Sequence, residues 1–269
     1  MIKRLLAAIA LVALVLPAGA LADTQISAVG STALLPLVKE AATEYATQHQ
    51  DVKISVSGGG SYVGLAQARS GTAELGDSDV IAPGNSGLMD HKVAVVSFAI
   101  IVNPSSGITG LSAAQLRSIF SGRVTNWKDV GGADQGIVII NRPRTSGTRA
   151  VFNATMMGVS KINEAGLTVD SSGTVVTTVA TTPGSISYVA VAYTRDKPVT
   201  VIKINGIAPT EANVVTGKYP VWSYEHIFTK GKPSPVIDGF IRYISSNQSL
   251  LAKLGYIPVS HMKVKETNR

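Results

Sequence analysis

The chain has 269 residues, of which 45% are hydrophobic and 15% charged. It therefore holds enough apolar material for one large or two medium cores, and disorder is excluded. Lysine and arginine number 24 against 17 acidic residues, a formal charge of +7, and their spread from Lys39 to Arg269 does not indicate a nucleic-acid surface. The absence of cysteine excludes disulfides, cysteine-ligated zinc, thiol catalysis and a lipid attached to an N-terminal cysteine.

The first 22 residues have the layout of a secretory signal peptide. Lys3 and Arg4 precede an apolar run at residues 5–16, and the segment ends in Ala20-Leu21-Ala22. The alternative is a membrane anchor, but the run of about 12 residues is shorter than the roughly 20 that a spanning helix needs. We predict cleavage after Ala22 and a soluble protein in the periplasm or otherwise outside the cytoplasm. Loss of Lys3 and Arg4 lowers the formal charge to +5, with 22 basic residues against 17 acidic ones.

Beyond residue 22, apolar periodicity predicts strands and helices that alternate along the chain. Valine and isoleucine dominate the apolar run at 92–103, which favours a buried strand over a helix. Alternation of this kind predicts parallel sheets with helices on both faces. The predicted strands are 25–29, 52–56, 74–79, 92–103, 136–140, 187–192, 199–204 and 223–229; the predicted helices are 34–49, 62–69, 111–120, 146–157 and 236–254, with a further apolar segment at 175–181.

Three strand-to-helix turns place small hydroxyl residues beside glycine: Gly30-Ser31-Thr32, Gly60-Ser61 and Thr145-Ser146-Gly147-Thr148. Any one of them could serve only to cap its helix, since serine and threonine are preferred N-caps. A helix N-terminus also offers unpaired N–H groups and a partial positive charge, and glycine lets an anion approach the backbone. Because α/β sheets bind ligands at the carboxyl ends of their strands, the three turns together predict an anion site.

The sequence resembles a known family in five blocks that occur in the family's order. The family is that of the extracytoplasmic phosphate-binding proteins of bacterial phosphate ABC transporters, of the PstS type. The resemblance implies that the block around Trp127 is a surface motif of the second domain, outside the binding site. The blocks cover most of the chain between residues 27 and 152, with a weaker match at 184–188, and they are 29–34, 57–61, 76–79, 119–122 with 126–132, and 142–149.

The resemblance implies an α/β protein with the type II, two-lobed periplasmic-binding-protein fold, each lobe a sheet flanked by helices, which closes on one phosphate in the cleft. We expect lobe 1 to comprise residues 23–101 and 223–269 and lobe 2 residues 102–222, with chain crossings near Val102 and Trp222. The implied function is capture of inorganic phosphate and its delivery to the membrane permease of an ABC transporter. We expect a monomer that catalyses no reaction and uses no cofactor or metal.

The family's phosphate ligands are carried over residue by residue. Arg142 suits a tetrahedral oxyanion because a guanidinium donates charge-assisted hydrogen bonds in a fork. Asp79 can only accept, so it requires a ligand that still carries a proton, as phosphate does near neutral pH and sulfate does not. Whether Ser31 or Thr32 supplies the side-chain bond stays open. The implied ligands are Ser31, Thr32, Ala33, Ser61, Asp79, Arg142, Ser146, Gly147 and Thr148.

One departure from the family concerns Arg144, which stands where many members have an acidic or neutral residue near the ligand arginine. In those members an acidic residue can pair with the ligand arginine. The absence of an acid at position 144 therefore bears on the orientation of Arg142 and on the charge of the site. Without the resemblance, Asp77 and Asp79 would be read as surface turn residues or a weak metal site.

Other functions have less support in the sequence. Within binding proteins the alternative ligand is another oxyanion, such as sulfate, molybdate or a phosphonate. Ser260-His261-Met262-Lys263 matches the S-x-x-K pattern of exported serine hydrolases, but no Lys-Thr-Gly accompanies it. The four histidines lack metal-ligand spacing, and no G-x-x-x-x-G-K-[ST] loop is present. A third alternative is an exported adhesion or signalling module that keeps the fold without transport.

Overall fold

The structure is a computed structural model that describes residues 24–265. The predicted signal peptide and its cleavage point therefore lie outside the described residues. The strands are β1 Thr24–Gly30, β2 Val52–Ser57, β3 Leu75–Ser78, β4 Leu88–Val102, β5 Gly110–Leu111, β6 Val138–Asn141, β7 Leu167–Thr168, β8 Ser185–Ala190, β9 Thr200–Ile204 and β10 Trp222–Lys230. The α-helices are α1 Leu35–Gln48, α2 Ser61–Ser70, α3 Ala113–Phe120, α4 Gly147–Phe152, α5 Ser172–Thr181, α6 Glu211–Val215, α7 Pro235–Ser246 and α8 Gln248–Leu254.

Eight of the strands follow one another in the order β2-β1-β3-β10-β4-β8-β6-β7, while β9 pairs with β4 and β5. The prediction of parallel sheets is right at the two ends, where β1 runs parallel to β2 and β3, and β6 to β7 and β8. It is wrong in the middle, because β10 is antiparallel to both β3 and β4, and β4 is antiparallel to β8 and β9. Alternation along the chain cannot reveal this, since β10 enters between strands that precede it by more than a hundred residues.

The longest strand, β4, connects the two ends of this arrangement. Its residues up to Ser97 pair with β10, and from Phe98 onward it pairs with β8. The backbone N–H of Phe98 donates to the carbonyl of Val221, just before β10 begins. Every residue of β4 from Val93 to Val102 is buried, which accounts for the continuous apolar run in the sequence. The pairing partners thus change at Ser97 and Phe98, a few residues before the predicted lobe boundary, which stays a prediction.

Two predicted helices are shorter in the structure. The helix expected at 236–254 is divided into α7 and α8 because Asn247 has non-helical dihedral angles and its side chain caps α8 by accepting the Leu250 N–H at 3.1 Å. The helix expected at 146–157 is α-helical only to Phe152, where α4 ends, and a π-helix follows at Asn153–Met157. None of the helices between residues 24 and 265 has both the length and the apolar character that a membrane span requires.

The residues around Trp127 are exposed or half-buried, as predicted for a surface motif, but Trp127 itself is not a surface residue, which corrects that part of the prediction. The indole is fully buried, and its Nε1–H donates to the carbonyl of Gly184 at 2.9 Å. Only the polar part of the block faces solvent, where Lys128 pairs with Asp134 at 3.0 Å. A large aromatic ring with one hydrogen-bonded polar atom is more stable in the core than on the surface, so this block anchors its turn to β8.

Candidate anion-binding site

The three predicted turns all lie where a strand ends or a helix begins. Gly30 closes β1, Gly60 immediately precedes α2, and Ser146 caps α4 by accepting the Arg149 N–H at 3.2 Å. The nine predicted ligand residues are all buried, although they come from four separate segments of the chain. Hydrogen bonds that involve Asp79 and Arg142 connect these segments in the interior of the protein.

Asp79 lies at the centre of these contacts. One carboxylate oxygen accepts the hydroxyl of Ser31, and the other accepts the Thr148 hydroxyl at 2.7 Å. The Asp79 backbone N–H donates to the Ser61 hydroxyl at 2.9 Å, and its carbonyl accepts from Ser223 at 2.6 Å. The side chain is therefore held from several directions, and Asp79 is neither a surface turn residue nor free to rotate.

Burial raises the pKa of the Asp79 carboxyl, while the hydroxyls of Ser31 and Thr148 and the guanidinium of Arg142 oppose that rise. These donors favour the ionised form, which can only accept hydrogen bonds. A cavity of 230 Å³ borders Asp79, but its other lining residues, such as Tyr62, Val80 and Ala150, include none of the other predicted ligands. A carboxylate in this position can receive the hydrogen of a protonated oxyanion.

Arg142 supplies the buried cation of the site, with 1% of its surface exposed. Its guanidinium donates to the Thr32 hydroxyl and to the Asp170 carbonyl, both at 3.0 Å. Its Nε–H has no hydrogen-bond partner within residues 24–265. Burial lowers the pKa of Arg142, and the charge of Asp79 opposes that effect. Because an arginine keeps its charge in proteins, the unpaired N–H is a donor available to an anion.

The structure adds Ser172, which the sequence analysis missed. This fully buried residue opens α5, and its N–H donates to the Thr32 hydroxyl at 3.2 Å, with the two hydroxyl oxygens 3.0 Å apart. The Arg142 guanidinium approaches the Ser172 hydroxyl at 3.5 Å. A signal was present, since Ser171-Ser172-Gly173-Thr174 repeats the hydroxyl-and-glycine pattern of the other three turns.

The hydroxyls of Ser31 and Thr32 have different partners. Ser31 donates to Asp79 and accepts the N–H groups of Ala33 and Leu34 at 3.0 and 3.2 Å. The Thr32 hydroxyl instead faces Arg142, on the other side of the site. Two tyrosines from distant segments fix the backbone of this turn: the hydroxyl of Tyr193 donates to the Thr32 carbonyl at 2.7 Å, and that of Tyr256 to the Ala33 carbonyl at 2.5 Å.

The turns approach one another closely because two of their residues are glycines. A Cβ on Gly147 would lie 2.1 Å from the Ser61 hydroxyl oxygen and 2.9 Å from the Asp79 Cβ. A Cβ on Gly60 would lie 2.5 Å from the Thr145 carbonyl oxygen. That carbonyl also accepts the Tyr62 N–H at 3.2 Å. Glycine is therefore required here for contact between segments, and not only for the shape of each turn.

Arg144 does not take part in the site. Its side chain is 86% exposed and pairs with Glu164 at 3.4 Å. Glu164 also binds Arg149 at 2.6 Å, and Arg149 donates to the Arg142 carbonyl at 2.6 Å. The backbone of Arg142 is thus positioned by Arg149, while the extra charge of Arg144 remains at the surface.

The residues that a hydrolase or a metal site would use lie away from Asp79 and Arg142. Ser260 and Lys263 are both exposed near the end of the described chain. Of the histidines, His226 is buried and pairs with Asp90 at 2.7 Å, and His261 pairs with Glu211 at 2.8 Å. These contacts are typical of structural residues.

Comparison with known proteins identifies the family of the chain. The PBP superfamily domain matches residues 17–248. The phosphate-binding protein PstS of Bacillus subtilis is 43% identical over 243 residues, which is 87% of this chain and 81% of that protein.

Two solved structures are also similar. A Clostridium perfringens protein, assigned to phosphate ABC transport as a substrate-binding protein and solved with bound phosphate, superimposes with a TM-score of 0.84 at 28% identity, covering 88% of this chain and 100% of that one. An ABC-type phosphate transport receptor from Vibrio cholerae gives a TM-score of 0.70 at 28% identity, covering 86% and 99%. The chain therefore belongs to the PBP superfamily and, within it, to the family of PstS phosphate-binding proteins.

Proposed function

We propose that this protein binds inorganic phosphate at the site around Asp79 and Arg142 and delivers it to the permease of an ABC transporter. The observation that carries the proposal is the buried juxtaposition of one acceptor-only carboxylate, Asp79, with one arginine that keeps an unpaired N–H. The relatives named phosphate-binding protein PstS and the neighbour solved with phosphate support the same ligand.

The proposed ligands are the nine predicted residues together with Ser172. A phosphate that leaves water loses a large hydration energy, which many hydrogen bonds must replace. The turns of Thr32, Ser61 and Gly147 supply hydroxyl and backbone donors, and Arg142 supplies the charge. Ser31 and Thr148 donate to Asp79 in this structure, and each hydroxyl can turn to the ligand while remaining in the site.

Another oxyanion is the alternative ligand. Sulfate carries no proton at neutral pH and cannot donate a hydrogen bond to Asp79. The negative charges of sulfate and Asp79 would therefore repel each other. Molybdate and a fully ionised phosphonate would meet the same repulsion. Asp79 therefore favours phosphate over these ligands.

We also propose that phosphate is captured by closure of two lobes, 23–101 with 223–269 and 102–222. Several hydrogen bonds join residues of the two proposed lobes directly, among them those from Thr148 to Asp79 and from Arg142 to Thr32. Neither group of residues alone would surround the anion. Rotation of lobes about a hinge is a common way for binding proteins to enclose a ligand.

The proposal places the protein outside the cytoplasm as a monomer after cleavage near Ala22, without lipid because the sequence has no cysteine. It includes no catalysed reaction. Support comes from membership of a solute-binding family and from the exposed positions of Ser260 and Lys263. Turnover of an acyl or phosphoryl ester by the purified protein would instead support a hydrolase.

Thermal unfolding with and without phosphate tests the proposed function. A ligand that binds only the folded state stabilises it by RT ln(1 + [L]/Kd), about 4 kcal/mol at a thousandfold excess over Kd. We expect millimolar phosphate to raise the midpoint after bound anion has been removed by dialysis. An unchanged midpoint would contradict the proposal.

A further inference from the structure

Two further carboxyl groups lie beside Asp79. Asp77 precedes it by two residues and belongs to strand β3, which ends at Ser78. In the antiparallel pairing of β10 with β3, Ile227 lies opposite Asp77 and His226 opposite Ser78. Glu225 and Asp79 are the next residues of the two segments beyond this register, and their carboxyl groups are in hydrogen-bonding contact. Both Asp77 and Glu225 are fully buried.

The three carboxyls differ in their hydrogen-bond donors. Asp79 receives two hydroxyls and faces Arg142. Neither Asp77 nor Glu225 receives a hydroxyl, amide or cationic donor from any described residue. Buried unpaired carboxylates are costly, and two adjacent carboxyls can hydrogen-bond to each other only if one holds a proton. The charge is therefore best placed on Asp79 and the proton on its cross-strand neighbour.

The surroundings of Glu225 favour the same assignment. Burial, together with the nearby carboxyls of Asp79 and Asp77, raises the pKa of Glu225 well above its usual range. Burial and Asp79 raise the pKa of Asp77 in the same way. Tyr193 and Tyr256 also face Glu225, and burial raises their pKa values above the usual tyrosine range, so both remain neutral. The surroundings therefore favour the protonated form of Glu225 and of Asp77.

We propose that Glu225 is a positioning residue of the anion site, which holds a proton and donates it in a hydrogen bond to the carboxylate of Asp79. This inference rests on the proposed function, because it assigns Glu225 a role in phosphate binding. A carboxylate has about four acceptor positions. In this structure Ser31, Thr148 and Glu225 are placed at three of them, and a hydroxyl of the ligand takes the fourth or replaces a hydroxyl that turns to the ligand.

The proposal gives phosphate binding a defined pH dependence. When Glu225 ionises, Asp79 loses a donor and a second negative charge appears beside the anion. Phosphate affinity should then fall as the pH rises. Between pH 8 and pH 10 phosphate itself remains almost entirely the once-protonated dianion, so a change in this window reports groups of the protein.

Titration calorimetry of phosphate at several values from pH 7 to pH 10 tests the proposal with wild type, Glu225→Gln and Asp77→Asn. The glutamine amide still donates a hydrogen bond but cannot ionise. We expect the wild-type Kd to rise with pH once Glu225 ionises and the Kd of Glu225→Gln to show no such rise. Glu225→Ala, which lacks the donor, should bind phosphate more weakly than Glu225→Gln at pH 7.

Asp77→Asn is the matched control, because it also neutralises a buried carboxyl but leaves Glu225 in place. Its Kd should still rise with pH, as in wild type, but from a lower pH, because the charge of Asp77 contributes to the raised pKa of Glu225. Parallel profiles for wild type and Glu225→Gln, or a flat profile for Asp77→Asn alone, would overturn the role of Glu225.

A second measurement needs no variant. The side-chain carboxyl ¹³C signal of Glu225 in the wild-type protein without phosphate should have the chemical shift of a protonated acid at pH 7, and the shift of a carboxylate would overturn the proposal. This result also separates the two proposals. If wild type binds no phosphate at any pH, the proposed function fails, while the ¹³C shift still shows whether Glu225 holds a proton.

Discussion

The two sides of the buried site have opposite chemistry. On the acceptor side, strands β3 and β10 place Asp79 and Glu225 next to each other, and the hydroxyls of Ser31 and Ser61 hold Asp79 in place. On the donor side, Arg142 comes directly after strand β6, with the N-termini of helices α4 and α5 nearby. From this difference we expect the donor side to determine how strongly an anion binds and the acceptor side to determine which anion binds.

The largest expected effect comes from the donor side. Arg142→Ala removes the buried cation and should reduce phosphate affinity by roughly 2 to 5 kcal/mol, as is usual when one member of a buried charged pair is truncated. Sulfate affinity should fall as well, because the lost charge serves every oxyanion. Calorimetry gives both constants, with Arg144→Ala as control: this neighbouring arginine is 86% exposed, and its loss should leave phosphate affinity nearly unchanged. Equal effects of the two variants would contradict the assignment of Arg142.

The next effect concerns the contact between the two sides. Gly147→Ala puts a methyl group 2.1 Å from the Ser61 hydroxyl oxygen, so the sides must separate, at a cost of about 1 to 3 kcal/mol for an overpacked contact. Alanine is favourable in a helix, and the penalty should therefore appear in phosphate affinity more than in thermal stability. Gly136→Ala is the control, since no atom lies within 4 Å of its Cβ position. Wild-type affinity in Gly147→Ala would show that the sides do not meet this closely when phosphate binds.

The smallest effect is expected at Ser172. Ser172→Ala removes a hydroxyl that lies between Thr32 and Arg142, and loss of one such hydrogen bond costs about 1 kcal/mol. The measurement is phosphate affinity by calorimetry. Thr177→Ala, on the exposed face of the same helix, should have no effect on binding. If the two variants bind phosphate equally well, Ser172 is not part of the donor side.

The sequence predicts much of the donor and acceptor chemistry. Hydroxyl residues beside glycine are typical of a helix N-terminus, where they cap the helix or bind an anion. Ser31, Ser61 and the 145–148 turn can therefore be recognised without a structure. The apolar run of β4 was predictable for a similar reason, because burial on both faces produces an unbroken run of valine and isoleucine. Family resemblance then added Asp79 and Arg142, which lie outside any local pattern.

Other features depend on contacts between distant segments. The antiparallel insertion of β10 beside β3 brings Glu225 into contact with Asp79, and no spacing along the chain shows that the two meet. Tyr193 and Tyr256 bind the carbonyls of the 31–34 turn from more than 150 residues away. The burial of Trp127 was not predicted, because membership of a motif does not determine burial. Burial depends on how the indole ring packs in the core.

The central claim is that Asp79 selects an anion that still carries a hydrogen. The most direct measurement is the ratio of phosphate to sulfate affinity, by calorimetry at pH 7, for wild type and Asp79→Asn. Asparagine can donate as well as accept, so the variant should lose phosphate affinity, bind sulfate relatively better, and show a ratio reduced by about tenfold or more, corresponding to about 1.4 kcal/mol. An unchanged ratio would contradict the claim, because it would mean that Asp79 does not face the ligand.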